Sequence, residues 1–215
     1  IVHEVLADLA TPLSVYLKIA DGPYSYLLES AQGGEKWGRY SIIGLPCSTV
    51  IRVTGTKITI ETDGKITEEA ETDDPLGFIE DYQNRFSIPY QIEGGNELPR
   101  FIGGLVGYFG YDTVRYVEKR LAKSAPPDPM GTPEILLMVS NNVIVFDNVK
   151  SRMQLISLVD PEFPDAFVSA IESLQTLAEQ LSTSVPPISD TNTTPPPEED
   201  AFFSEFGQAQ YMQAV

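Results

Sequence analysis

EILLMVSNNVIVFD, residues 134–147, holds two short apolar runs separated by Ser140-Asn141-Asn142. The runs are rich in Ile, Val and Leu and too short for ordinary helices. They read as two strands with a turn near Asn141-Asn142, where Asn readily bends the backbone. SRMQLISL, residues 151–158, follows Asp147-Asn148 and reads as a further strand that closes a hairpin. Strands joined by so few residues run antiparallel, because a parallel pair needs a crossover of about a dozen residues or more.

The pattern repeats upstream. STVIRVT (48–54) and KITIE (57–61) alternate apolar and polar residues around Thr54-Gly55-Thr56, which predicts a hairpin with one wet face. Lys65-Ile66-Thr67 adds an edge strand after Asp63-Gly64, and residues 23–29 and 39–44 read as two more strands. FIGGLVGYFGYDTVRYVE, residues 101–118, begins as a buried strand and becomes a short helix from about Asp112. Helices are predicted at 12–19 after Thr11-Pro12 and from Pro75 to Arg85 after Asp74-Pro75, since proline suits a first helical position. The second carries Leu76, Ile79 and Tyr82 on one stripe. The clearest helix is 164–182, with Phe167, Ile171, Leu174, Leu177, Ala178 and Leu181 sharing a face. The expected class is α+β: largely antiparallel sheets with flanking helices.

Residues 1–182 are expected to form one domain. TSVPPISDTNTTPPPEED, residues 183–200, changes to Pro, Thr, Ser and acid without an apolar period and reads as a Pro-rich linker. Residues 201–215 then start another helix, with Tyr211 and Val215 four apart, and a further domain is expected after Val215. Asn192-Thr193-Thr194 matches a glycosylation sequon.

A formal charge of −17 repels phosphate backbones and anionic lipid, which argues against nucleic-acid or membrane-surface binding. No apolar run approaches the roughly 20 residues that cross a bilayer. No basic cluster is visible that would gather an anionic substrate. One cysteine (Cys47) and one histidine (His3) exclude an internal disulfide and a Cys/His zinc site, and with Cys47 read as buried and His3 near the terminus no Cys-His or Ser-His catalytic pair is expected. Cys47 fits a small buried thiol in a reducing compartment, and His3 a surface residue. Gly103, Gly104, Gly107 and Gly110 have G-x-x-G-x-x-G spacing, and no Lys-Ser/Thr follows. They predict a strand closely approached by another backbone and not a phosphate loop. Glu68, Glu69, Glu71, Asp73 and Asp74 read as a solvated acidic loop.

YLLESAQGGEKWGRYSIIG, residues 26–44, carries hydroxyls, a carboxylate, a guanidinium and the single Trp of the chain. Such groups can grip a small zwitterion: acceptors for its ammonium, donors for its carboxylate, an apolar slot for its body. If 24–30 is extended, Tyr26, Leu28 and Ser30 face one way and Leu27 and Glu29 the other. The plainer alternative is that Ser30 caps the next turn and Glu29 pairs with Arg39.

LLES at 27–30, GRYSIIG at 38–44 and GGLVGYFGYDTVRYVE at 103–118 together resemble the N-terminal region of anthranilate synthase component I. Asp8 to Leu13, Val145-Phe146-Asp147, and Glu205-Phe206 through Tyr211 and Val215 add to the resemblance. Aminodeoxychorismate synthase component I, of the folate pathway, shares the plan and is the alternative; the LLES and GRYS segments favour the former. The resemblance implies a lyase of tryptophan biosynthesis that converts chorismate to anthranilate. Its catalytic machinery and magnesium would lie in a C-terminal domain outside this chain, which alone would be inactive and hold no catalytic residue, metal or cofactor. It implies that this region helps form the L-tryptophan feedback site and communicates with a glutamine amidotransferase subunit, in the cytoplasm. Ser30 is the best-matched inhibitor contact, with Glu29, Arg39, Tyr40 and Ser41 as lining or supporting residues. A pure amidotransferase-docking module is the non-catalytic alternative.

Overall fold

The computed structural model describes residues 1–8, 10–29, 38–86, 98–121, 128, 130–182, 203–204 and 206–214. Ser30 and the linker expected at 183–200 lie outside the described residues. The chain divides into two units, Ile1–Val185 and Pro186–Val215. The second contributes one described helix, Gln208–Ala214.

The larger unit holds two five-stranded antiparallel sheets with helices, an α+β arrangement. In chain order, the first sheet contains β1 (Val2–Leu6), β2 (Tyr26–Leu28), β3 (Tyr40–Gly44), β9 (Asn142–Asp147) and β10 (Arg152–Ser157), arranged in space as β1-β10-β9-β3-β2. The second contains β4 (Thr49–Thr54), β5 (Lys57–Thr62), β6 (Lys65–Glu71), β7 (Gly104–Phe109) and β8 (Ile135–Ser140), arranged as β6-β5-β4-β8-β7.

The stretch 134–147 does form two strands, but no turn folds one back on the other. β8 belongs to the second sheet and β9 to the first, with only Asn141 between them. A second crossing, from β3 to β4, runs alongside. β3 pairs with β9 and β4 with β8, and the Leu45 amide donates to the Asn142 carbonyl at 3.1 Å. Tyr26 fastens this corner. Its ring covers Gly44, where an added Cβ would come within 2.0 Å of a ring carbon. Its hydroxyl shares a 2.8 Å hydrogen bond with the fully buried Ser140 hydroxyl. Gly44 is thus required by close approach, at the point where one strand leaves its sheet.

Local signals set the shorter elements. Thr11 and Ser14 exchange capping bonds at the start of α1 (Pro12–Ile19), and the Asp74 carboxylate caps α2 (Pro75–Gln83) by accepting from the Gly77 amide at 3.0 Å. The acidic loop is therefore structural at Asp74, while Glu68 pairs with Arg85 and Glu69 with Lys57. Asp63 and Gly64 both have positive φ, as a two-residue hairpin of primed type requires.

α1 and α4 (Ala166–Leu181) cover one face of the first sheet around Val15, Ile43, Ile144, Leu155 and Leu174. α2 covers one face of the second around Ile51, Ile58 and Leu137. On α4 the buried face runs through Ala170 and Leu174; Phe167 is on the same stripe but in the first turn of the helix, where it is exposed. β1 has no counterpart among the strands read from sequence. β7 is an edge strand with Tyr108 and Phe109 exposed, not the buried strand expected, since only one of its edges is paired, with β8. Gly110 leads from it into a 3-10 turn (Tyr111–Thr113) and α3 (Val114–Val117).

Candidate functional site

Period-two alternation decides what the first sheet presents on the face away from α1 and α4. Val2, Ile42, Val143, Val145 and Ile156 make one end of that face apolar, with Phe101 and Ile102 lying over it. Toward the other end the same strands carry Glu4, Tyr40, Asp147, Arg152 and Gln154. Arg152 sits opposite Asp147, Tyr40 opposite Asp147, and Gln154 opposite both Glu4 and Val145. These side chains, with Arg39, Lys150, Leu98 and Pro99, enclose an open cleft of about 400 Å³.

The cleft is charged and internally braced. Arg39 donates to Asp147 from Nη2 at 2.7 Å and from Nε at 3.2 Å, and its guanidinium carbon lies 4.9 Å from the centre of the Tyr40 ring. Asp147 also accepts from the amides of Val149 and Lys150, both at 3.1 Å, which fixes the turn between β9 and β10. Arg152 pairs with Glu4. Asn148 fastens the start of β3, donating through its side chain to the Gly38 carbonyl and the Ser41 hydroxyl and through its amide to the Arg39 carbonyl. Among the described lining residues, three cations against two carboxylates give this spot a positive balance on a chain of charge −17.

The Arg39 hydrogen bond holds the Asp147 carboxyl below the usual carboxylate range; partial burial opposes it, and the Lys150 and Val149 amides assist. A depressed folded-state pKa adds stability above the unfolded-state value of about 3.9 and loses it as pH falls through the folded value. Asp147→Asn is therefore expected to flatten part of the acid-induced drop in stability below about pH 4. Urea midpoints for both proteins across that range check it; parallel curves would show that Asp147 makes no such contribution.

The residues singled out in the sequence are separated by this geometry. Arg39 and Tyr40 line the cleft. Ser41 is buried on the opposite face, its hydroxyl accepting from Asn148 at 3.2 Å. Glu29 is exposed just past β2, and Arg39 pairs with Asp147 instead of Glu29. The alternation expected for 24–30 is present in its described part. Tyr26 lies over Gly44 on the cleft side of the sheet, and Leu27 packs against the helix-covered core. Leu28 stands opposite Ile42. Sequence reading missed Glu4, Lys150, Arg152 and Gln154, and saw no basic cluster. These residues lie more than a hundred positions from Arg39 or on an unrecognised strand, and only strand register gathers them.

Among the described residues, no group of three or more His, Cys, Asp or Glu is placed to hold a metal ion. No helix among them is long and apolar enough to cross a membrane. Cys47 is half-buried, with burial pushing its thiol pKa up, which makes it a poor nucleophile.

No family model matches the chain. Its sequence is 51% identical over 213 residues to anthranilate synthase component 1 of Pseudomonas aeruginosa, covering 99% of this chain and 42% of that protein. It is 52% identical to the protein of that name from Pseudomonas putida, with the same coverage. It is 48% identical over 184 residues to that of Neisseria meningitidis, covering 84% of this chain and 36% of that protein. The chain thus spans about two fifths of the length of these relatives. The crystal structure of anthranilate synthase component I from Streptococcus pneumoniae superimposes with a TM-score of 0.50 at 24% identity, over 85% of this chain and 37% of that one, a likeness of fold.

Proposed function

The chain belongs to the anthranilate synthase component 1 family, and we propose that it is the N-terminal, feedback-regulatory part of such a component, binding L-tryptophan. The parent protein would be a cytoplasmic lyase making anthranilate from chorismate. Its catalytic residues and magnesium would lie in the rest of the polypeptide, and a glutamine amidotransferase subunit would supply ammonia. In this reading Ser30 contacts the inhibitor, Glu29, Arg39, Tyr40 and Ser41 line or support its site, and Ser41 is held behind the cleft through Asn148. The observation that carries the reading is the cleft itself. Arg39 and Tyr40 of the GRYS segment wall a space that offers carboxylates, cations and apolar surface together. A tryptophan zwitterion needs those three kinds of group.

Ser30→Ala in the full-length protein is expected to raise the L-tryptophan inhibition constant ten- to hundredfold, since a hydrogen bond to a charged group contributes about 1.5–3 kcal/mol. Turnover with chorismate, magnesium and ammonia should stay near wild type, as should turnover with glutamine plus the amidotransferase subunit. An unchanged inhibition constant removes Ser30 from the site.

A further inference from the structure

Lys150 differs from the other two cations of the cleft. Arg39 is engaged by Asp147 and Arg152 by Glu4, whereas the Lys150 ammonium has no ion-pair partner among the described residues. Its position is nevertheless fixed at the backbone, because the Lys150 amide donates to Asp147 in a turn where Ser151 takes positive φ. Lys150 thus reaches the cleft lining from a braced turn. Asp147, Glu4 and the apolar Val145, Pro99 and Leu98 line the same cleft.

We propose that Lys150 is the carboxylate anchor of this cleft, which takes an amino acid with a large apolar side chain in a defined orientation. The ligand carboxylate meets Lys150, its ammonium faces the Asp147 and Glu4 carboxylates, and its side chain lies along Val145, Pro99 and Leu98. The charge arrangement supports this orientation over its reverse. Both acids already have a cation apiece, so a ligand ammonium joins them as a second donor on acceptors with spare lone pairs. Among the described residues, Lys150 is the one cleft cation without an ion-pair partner, and so the one with charge to offer an anion. The ligand class rests on the L-tryptophan reading above; the assignment of Lys150 goes beyond it.

Calorimetric titration of the full-length protein with L-tryptophan and with tryptamine, which lacks the carboxylate, tests the anchor. Wild type is expected to bind L-tryptophan at least ten times more tightly than tryptamine. Lys150→Met keeps the length of the side chain and removes the charge. It should weaken L-tryptophan roughly ten- to hundredfold while leaving tryptamine unchanged, so the preference collapses. Lys150→Arg should restore much of it. An unchanged preference in Lys150→Met, with Ser30→Ala still impaired, overturns the anchor and leaves the effector reading standing. A wild-type protein that ignores L-tryptophan overturns both.

Discussion

Gly107→Val is expected to strip β7 from the second sheet and to cost about 3 kcal/mol or more, the upper end of the range for inserting atoms into filled space. A Cβ at Gly107 would stand 1.9 Å from the Leu136 carbonyl oxygen, 2.9 Å from its carbon and 3.0 Å from the Leu137 Cα. All three are backbone atoms of β8, so no rotamer change relieves the clash. Gly107 lies opposite Leu137 in the ladder, and separating them there breaks the pairing that holds Gly104–Phe109. Leu105, which packs against the core of the second sheet, would leave with the strand. Gly38→Ala is the control: no atom of the described residues lies within 4 Å of its added Cβ, and the change should fall within about 0.5 kcal/mol of wild type. Urea denaturation of the 215-residue chain measures both. Equal midpoints for Gly107→Val and Gly38→Ala would mean the strand does not approach β8 this closely.

That glycine was legible from sequence, because apolar residues between regularly spaced glycines already point to a neighbouring backbone. So were the elements whose boundaries are written locally. Thr11-Pro12 and Asp74-Pro75 mark α1 and α2, and Gly55 with Asp63-Gly64 mark the turns around β5. What could not be read depended on partners distant in the chain. The apolar run of β7 suits a buried or an edge strand equally, and only the order of the sheet makes it an edge. VHEVL carries two polar side chains in five residues, since β1 closes the first sheet on one side, and so lacks a strong strand pattern. Asn141-Asn142 reads as a chain reversal, yet the residues beyond it pair with β3 and β10. The cleft was the least legible feature. Charges from β1, the start of β3 and the turn after β9 converge by register, and a composition dominated by acid hides three cations brought together.

Leu174→Ala and Phe167→Ala should differ sharply, although the helical stripe read from sequence places both on one face. Leu174 is 2% exposed, within the core that α4 shares with Val15 of α1 and Leu155 of β10, whereas Phe167 is 59% exposed. Truncating Leu174 removes buried methyl groups and leaves a cavity that a helix held at both ends cannot close. Ala170 is also buried, and the Leu181 carbonyl at the helix end accepts from the Lys18 ammonium at 2.8 Å. The expected cost is about 2–5 kcal/mol. Phe167→Ala removes a larger side chain from near water and should change stability by about 0.5 kcal/mol or less. Side-chain size alone would predict the reverse order, so the comparison isolates how far along α4 its packing on the first sheet extends. Urea midpoints of the two variants decide it: similar losses would mean that the buried face of α4 reaches its first turn and that Phe167 packs in the core.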